Sequence, residues 1–156
     1  MTELRTGLGF DVHPRDQSRE LWLGGVRFED DAGLAGHSDG DAVCHAVADA
    51  LLGAASLGDV GQHFPDTDPA VQGIGGLEVL ARAVTLVADA GLFPASCDVT
   101  VLCERPAIAP RRDEMRAALA RVLDLPLERV SVKATRPEGL GLSGDGVGCL
   151  ALATLR

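Results

Sequence analysis

SDGDAVCHAVADALLGA, residues Ser38 to Ala54, is the stretch from which the fold can be read. Ala42, Val43, Ala46, Val47, Ala50, Leu51 and Ala54 recur at helical spacing, so the segment predicts a helix with an apolar stripe. Ser38 or Asp39 is placed to cap its start. Upstream, Leu8 to His13 reads as a first strand. Leu21-Trp22-Leu23 and Val26-Arg27-Phe28 read as a hairpin turning at Gly24-Gly25. Glu29 to His37 is expected to be a loop leading into the helix.

Downstream, Gly58 to Pro69 is rich in Gly, Pro and Asp and reads as a polar loop. A second helix is predicted from about Gly76 to Ala90, ending at Gly91. Asp98 to Cys103 reads as a strand and Pro110 to Leu123 as a third helix. Arg129 to Thr135 and Gly148 to Leu155 close the chain as strands, separated by the Gly-rich stretch Gly139 to Gly146. No repeat or long linker divides the chain, so residues 1–156 are expected to form one domain. The order predicts a two-layer α+β domain with helices on one face of the sheet. A sheet with an uncovered face needs a partner, and oligomerisation is the simplest.

The composition narrows the function classes. A formal net charge of −9 argues against nucleic acid and anionic lipid as partners. A phosphorylated ligand would need metal ions or backbone N–H groups to offset that field. Aromatic residues make up only 3% of the chain, so small aliphatic residues must fill the interior and allow close backbone approach. Cys44, Cys97, Cys103 and Cys149 lack C-x-x-C spacing and read as buried free thiols in a reducing compartment. The chain opens without an apolar signal region, and no stretch approaches ~20 apolar residues. A soluble, cytoplasmic protein is expected.

Several clusters carry chemistry. On a strand, Asp11 and His13 point to one face and can offer oxygen and nitrogen to one ion. A D-x-H alone is common. His45 lies one helical turn after Asp41 and one before Asp49, and a histidine on an apolar helix is usually a satisfied core residue. Taken together, Asp11, His13 and His45 form a two-nitrogen, one-oxygen set that leaves a fourth tetrahedral position open, the pattern of a catalytic zinc site. Asp49 is a candidate to orient His45 from behind. Gly58 to Asp68 reads either as a solvated turn or as a flap of amides and carboxylates around a polyol. Lys133 to Glu138 sets a hydroxyl, a guanidinium and a carboxylate at a strand end, as phosphate and divalent-metal handling require.

These stretches, in this order, closely resemble the 2-C-methyl-D-erythritol 2,4-cyclodiphosphate synthase family. The matching text is GFDVH at Gly9 to His13, HSDGDAVCHAVADALLGAASLGDVG at His37 to Gly61, FPDTDP at Phe64 to Pro69 and KAT at Lys133 to Thr135. The resemblance covers essentially the whole chain. It implies a homotrimer of α+β subunits, with mixed sheets packed around a three-fold axis and active sites between neighbouring subunits. It also implies a cyclising, CMP-releasing phosphorus–oxygen lyase of the non-mevalonate isoprenoid pathway. The substrate would be 4-diphosphocytidyl-2-C-methyl-D-erythritol 2-phosphate, whose 2-phosphate attacks the β-phosphorus.

Residue by residue, the resemblance assigns zinc to Asp11, His13 and His45, and a second divalent ion, Mg²⁺ or Mn²⁺, to Glu138. Asp11 and His13 also face substrate. His37 and Ser38 lie near the substrate phosphates, His37 as a transition-state stabiliser beside Thr135 and Arg136. Asp59, Val60, Gly61, Phe64, Pro65, Asp66, Thr67 and Asp68 match the methylerythritol loop. Cys103, Glu104, Arg105, Pro106, Ala107, Ile108 and Ala109 match the cytosine and ribose pocket, and Pro137 adjoins it.

The chain departs from the family pattern at four positions. Arg136 replaces a hydroxyl and Ala107 a lysine. Leu142 replaces an aromatic residue and Asp145 an arginine near the trimer axis, so changed anion binding is expected there. Two other classes fit parts of the sequence. One is a metal-dependent phosphohydrolase that admits water. The other is a non-catalytic trimer that binds a nucleotide or an isoprenoid phosphate.

Overall fold

A computed structural model describes residues 3–141 and 143–156. The expected Leu8–His13 strand is the start of a longer one. β1 runs Arg5–Leu23 and turns at Gly24-Gly25 into β2, Val26–Leu34. Both glycines have positive φ, 59° and 75°, which a two-residue hairpin turn of this hand requires. Leu23 then pairs with Val26, as the hairpin reading predicts. Glu29 to Leu34, expected as loop, continues β2 as the edge strand of the sheet. Its charged residues suit an edge, where they discourage pairing with other chains.

The remaining elements are α1 (Ala42–Ala54), α2 (Val60–His63), α3 (Gly76–Asp89), β3 (Pro94–Leu102), α4 (Arg112–Leu123), β4 (Val130–Thr135) and β5 (Gly146–Leu155). One mixed sheet has the order β2-β1-β5-β3-β4, with β3 and β4 parallel and the other neighbours antiparallel. The described chain is thus α+β with a mixed sheet and packed helices, as the element order predicts. No helix among the described residues is long and apolar enough to cross a membrane.

Period-two alternation along β1 sorts its residues between two environments. Gly7 and Gly9 are buried, while Leu8, Phe10 and Val12 are exposed at 67%, 50% and 45%. A methyl on Gly7 would fall 1.9 Å from the Ala50 carbonyl oxygen, and one on Gly9 1.8 Å from that of Ala46. The strand therefore touches the α1 backbone directly. α1 buries ten of its thirteen residues, because the sheet covers one side and α3 another. Leu150 and Leu152 on β5 extend the exposed apolar face of β1.

The cap of α1 is Asp41, not Ser38 or Asp39. Its fully buried carboxylate accepts the amides of Val43 and Cys44 at 3.1 and 3.0 Å and those of Gly24 and Gly25 at 2.8 Å each. One side chain thus pins the helix start to the hairpin turn, a tertiary reason that local propensity does not contain. The polar loop after α1 includes the single-turn α2, closed by a capping box between Asp59 and Gln62. α4 begins at Arg112, two residues later than predicted, after a 3₁₀ turn at Ala109–Arg111.

Candidate active site

Past Gly9, β1 emerges from beneath α1, and the inward-facing positions become Asp11 and His13. His45 comes down from α1 to meet them. One donor atom from each of the three side chains lies within 4.8 Å of the others. Asp11 Oδ2 is 2.7 Å from His13 Nε2 and 3.2 Å from His45 Nδ1. The two rings sit edge to face, with centroids 5.6 Å apart.

The outer nitrogens are already engaged. His13 Nδ1–H donates to the Ala35 carbonyl at 2.7 Å, and His45 Nε2 lies 3.1 Å from Ser38 Oγ. These bonds fix the ring orientations and aim His13 Nε2 and His45 Nδ1 at the shared point, where each in its neutral form would offer a lone pair to a metal. Burial raises the Asp11 pKa, but the hydrogen bonds from both imidazoles outweigh it and hold the carboxyl at about 2. The bond to Asp11 raises the His13 pKa, and burial opposes that rise. Two nitrogens, one anionic oxygen and restrained rings are a donor set that fits a divalent transition metal with a free position.

The triad opens into a cavity of about 360 Å³. Gly36, His37 and Ser38 line one side of it, and Asp49, Asp59, Val60, Gly61, Phe64 and Asp66 line another. His37 stands at the exposed rim with Nδ1 3.2 Å from Asp66 Oδ2. The His37–Ser38 segment is gripped by Arg19, which donates to the carbonyls of Gly36 and Ser38. Asp49 does not contact His45 as expected. Its carboxylate accepts the Val60 amide at 2.7 Å and so holds the first turn of α2. Pro65, Thr67 and Asp68 stand outside the lining, and Asp68 instead caps the following turn through the Ala70 amide at 2.9 Å.

A second cavity, of about 200 Å³, lies at the ends of β3 and β4. Cys103, Pro106, Ala107, Ile108, Ala109, Arg112, Ala134, Thr135 and Arg136 line it. It shares no lining residue with the first. Glu104 and Arg105 turn away from it. Glu104 accepts the Gly139 amide at 3.2 Å, and Arg105 lies 3.8 Å from Asp31. Pro137 is buried and does not line the second cavity. Glu138 is exposed with a left-handed φ of 54°, and Asp145 is exposed with its carbonyl accepting the Arg15 amide at 2.9 Å. Leu142 lies outside the described residues.

Sequence reasoning passed over Arg19 and Arg112. For Arg19 no local pattern signals the reach to residues 36 and 38, which only the β1–β2 pairing brings near.

The architecture and site define an α+β protein with a two-histidine, one-carboxylate centre in a carboxylate-lined cleft. Residues 4–156 match the model of the YgbB family, and the chain belongs to that family. It is 51% identical over 155 residues to the 2-C-methyl-D-erythritol 2,4-cyclodiphosphate synthase of Salinibacter ruber, covering 98% of this chain and 99% of that protein. The structure of the bifunctional IspDF from Campylobacter jejuni superposes with a TM-score of 0.92 at 39% identity, covering 98% of this chain and 42% of that one. A CDP-bound 2C-methyl-D-erythritol-2,4-cyclodiphosphate synthase gives 0.90 at 36% identity, covering 97% of this chain and 100% of that one.

Proposed function

We propose that this chain converts 4-diphosphocytidyl-2-C-methyl-D-erythritol 2-phosphate to 2-C-methyl-D-erythritol 2,4-cyclodiphosphate and CMP, as one domain in the cytoplasm. The convergence of Asp11, His13 and His45 on one point, in a cleft walled by the Asp59–Asp66 segment, carries the reading. The near-full-length likeness to a synthase of that name supports it. Four buried free thiols are consistent with a reducing compartment.

In this reaction a 2-phosphate oxygen forms a bond to the β-phosphorus. The bond to the α–β bridging oxygen breaks, and that oxygen leaves with the electron pair on CMP. The nucleophile is already anionic at neutral pH, so no side chain needs to remove a proton. The protein's work is alignment and charge compensation.

Asp11, His13 and His45 would hold Zn²⁺, which supplies Lewis-acid polarisation of a phosphate oxygen when bound. Glu138 is the carboxylate this chain offers to a second divalent ion, Mg²⁺ or Mn²⁺. His37 at the rim and Ser38 beneath it are positioned to donate hydrogen bonds to phosphate oxygens. Asp59 and Asp66 can accept from polyol hydroxyls, while Phe64 and Val60 pack against the carbon skeleton.

Thr135 and Arg136 would meet substrate from the second cavity. Because the two cavities are separate on one chain, we read the working site as assembled between subunits of a homotrimer. The exposed apolar face of Leu8, Phe10, Val12, Leu150 and Leu152 is the surface that would pack at its centre.

The test is turnover by the zinc- and magnesium-loaded protein, with products resolved by ³¹P NMR. Cyclic diphosphate and CMP in equal amounts are expected. Linear phosphates would instead make it a hydrolase, and CMP release no faster than without protein would refute the assignment.

A further inference from the structure

The second cavity differs in charge from the rest of the protein. Carboxylates line the triad cavity at Asp11, Asp49, Asp59 and Asp66, and another surface cavity at Glu20, Glu29, Asp30 and Asp31. The lining of the second cavity has no carboxylate and two guanidiniums, Arg112 and Arg136. The arginines around the other two cavities and several on the helices are committed. Arg27, Arg82, Arg105, Arg111 and Arg116 pair with acids, and Arg15 and Arg19 donate to carbonyls. Among the described residues neither Arg112 nor Arg136 has an ion-pair or hydrogen-bond partner. Burial, opposed by Arg15, pushes the Cys103 thiol up to about 11, so it adds no negative charge at neutral pH.

Arg112 opens α4, whereas Arg136 follows β4. The parallel β3–α4–β4 unit brings these distant positions to one opening. Between them the lining is Pro106, Ala107, Ile108, Ala109 and Ala134, apolar side chains against which a base could stack. In a chain of net charge −9, two uncommitted guanidiniums beside such a wall are a local reversal of sign. A planar guanidinium fork matches phosphate oxygens in geometry as well as charge.

We propose that Arg112 and Arg136 form a phosphate clamp on the second cavity, which makes Arg112 a ligand-binding residue for the nucleotide's phosphates. The inference rests on the proposed function, in which this cavity takes the cytidine nucleotide. It assigns the cationic role to Arg112, where the sequence has Ala107 in place of a lysine.

The test is calorimetric titration of CDP, and separately of cytidine, into zinc- and magnesium-loaded wild type, R112Q, R112K and R112Q/R136Q. R112Q should weaken CDP by about tenfold, as loss of one charged contact implies, and leave cytidine unchanged. R112K should recover part of the loss, and the double variant should lose more than R112Q alone. If wild type takes up CDP and R112Q does so equally well, the clamp is wrong while the proposed function stands. Equal weakening of CDP and cytidine would place Arg112 with the base or the fold and overturn the phosphate assignment. A wild-type chain that binds neither probe removes the proposed function and this inference with it.

Discussion

The Asp49 carboxylate accepts the backbone N–H of Val60 at 2.7 Å, joining the middle of α1 to the segment that walls the triad cleft. Burial pushes the Asp49 carboxyl above its ordinary value, and the Val60 bond counteracts this only in part. Asp49→Ala leaves that amide without its acceptor, at a cost of about 1–2 kcal/mol. Zinc content by atomic absorption should be unchanged, while KM for the substrate should rise several-fold. Loss of zinc would mean that Asp49 acts on His45 after all.

Asp41→Ala is expected to be far more damaging, although Asp41 lines neither cavity. It removes the acceptor for four backbone amides in two elements. A loss of at least ~3 kcal/mol in chemical denaturation should follow, since buried amides left unpaired carry their full desolvation cost. Ser38→Ala should keep the helix start intact by the same measure.

Metal loading should depend on pH with a definite sign. In the metal-free chain, the bond to Asp11 raises the His13 pKa above 6.5, against the effect of burial. That bond stabilises the fold below 6.5, and its contribution is lost as pH rises through the raised value. Zinc competes with the same proton. Affinity should therefore be highest above the raised value and fall by about tenfold per pH unit below it. Zinc titration against a competing chelator between pH 6 and 9, by a pH meter's reading about evenly spaced, checks this. His45→Ala should abolish stoichiometric zinc throughout.

The exposed sheet face gives a prediction about assembly. Phe10→Asp puts a charge among Leu8, Val12, Leu150 and Leu152 without touching the buried side of β1. Light scattering should show the proposed trimer shifted to monomer, with activity lost at low protein concentration. A variant still trimeric would show that another surface holds the copies together.

The parts of the fold that could be read in advance were those encoded by period and by glycine. Ala42 to Ala54 and the Gly24-Gly25 turn are local signals, and both elements formed where expected. Glu29 to Leu34 carries little β propensity and extends as a strand because β1 offers it a partner. Ser38, Asp39 and Asp41 are all competent caps, and the choice among them depends on amides 16 and 17 residues away. The candidate metal donors were legible because a two-residue strand period puts Asp11 and His13 on one side. The i, i+4 spacing that placed Asp49 beside His45 describes Cβ positions, and the carboxylate turned to a different element. No spacing rule connects Arg112 with Arg136, since a parallel crossover sets their proximity.

Gly7 and Gly9 impose a consequence on how this protein can vary. They meet no metal and line neither cavity, yet the gap they leave decides how near His45 hangs over Asp11 and His13. Any heavier side chain at either position would lever the helix outward and open the bite of the three donors. The tolerance of the centre is thus set by two residues whose contribution is the carbon atoms they lack.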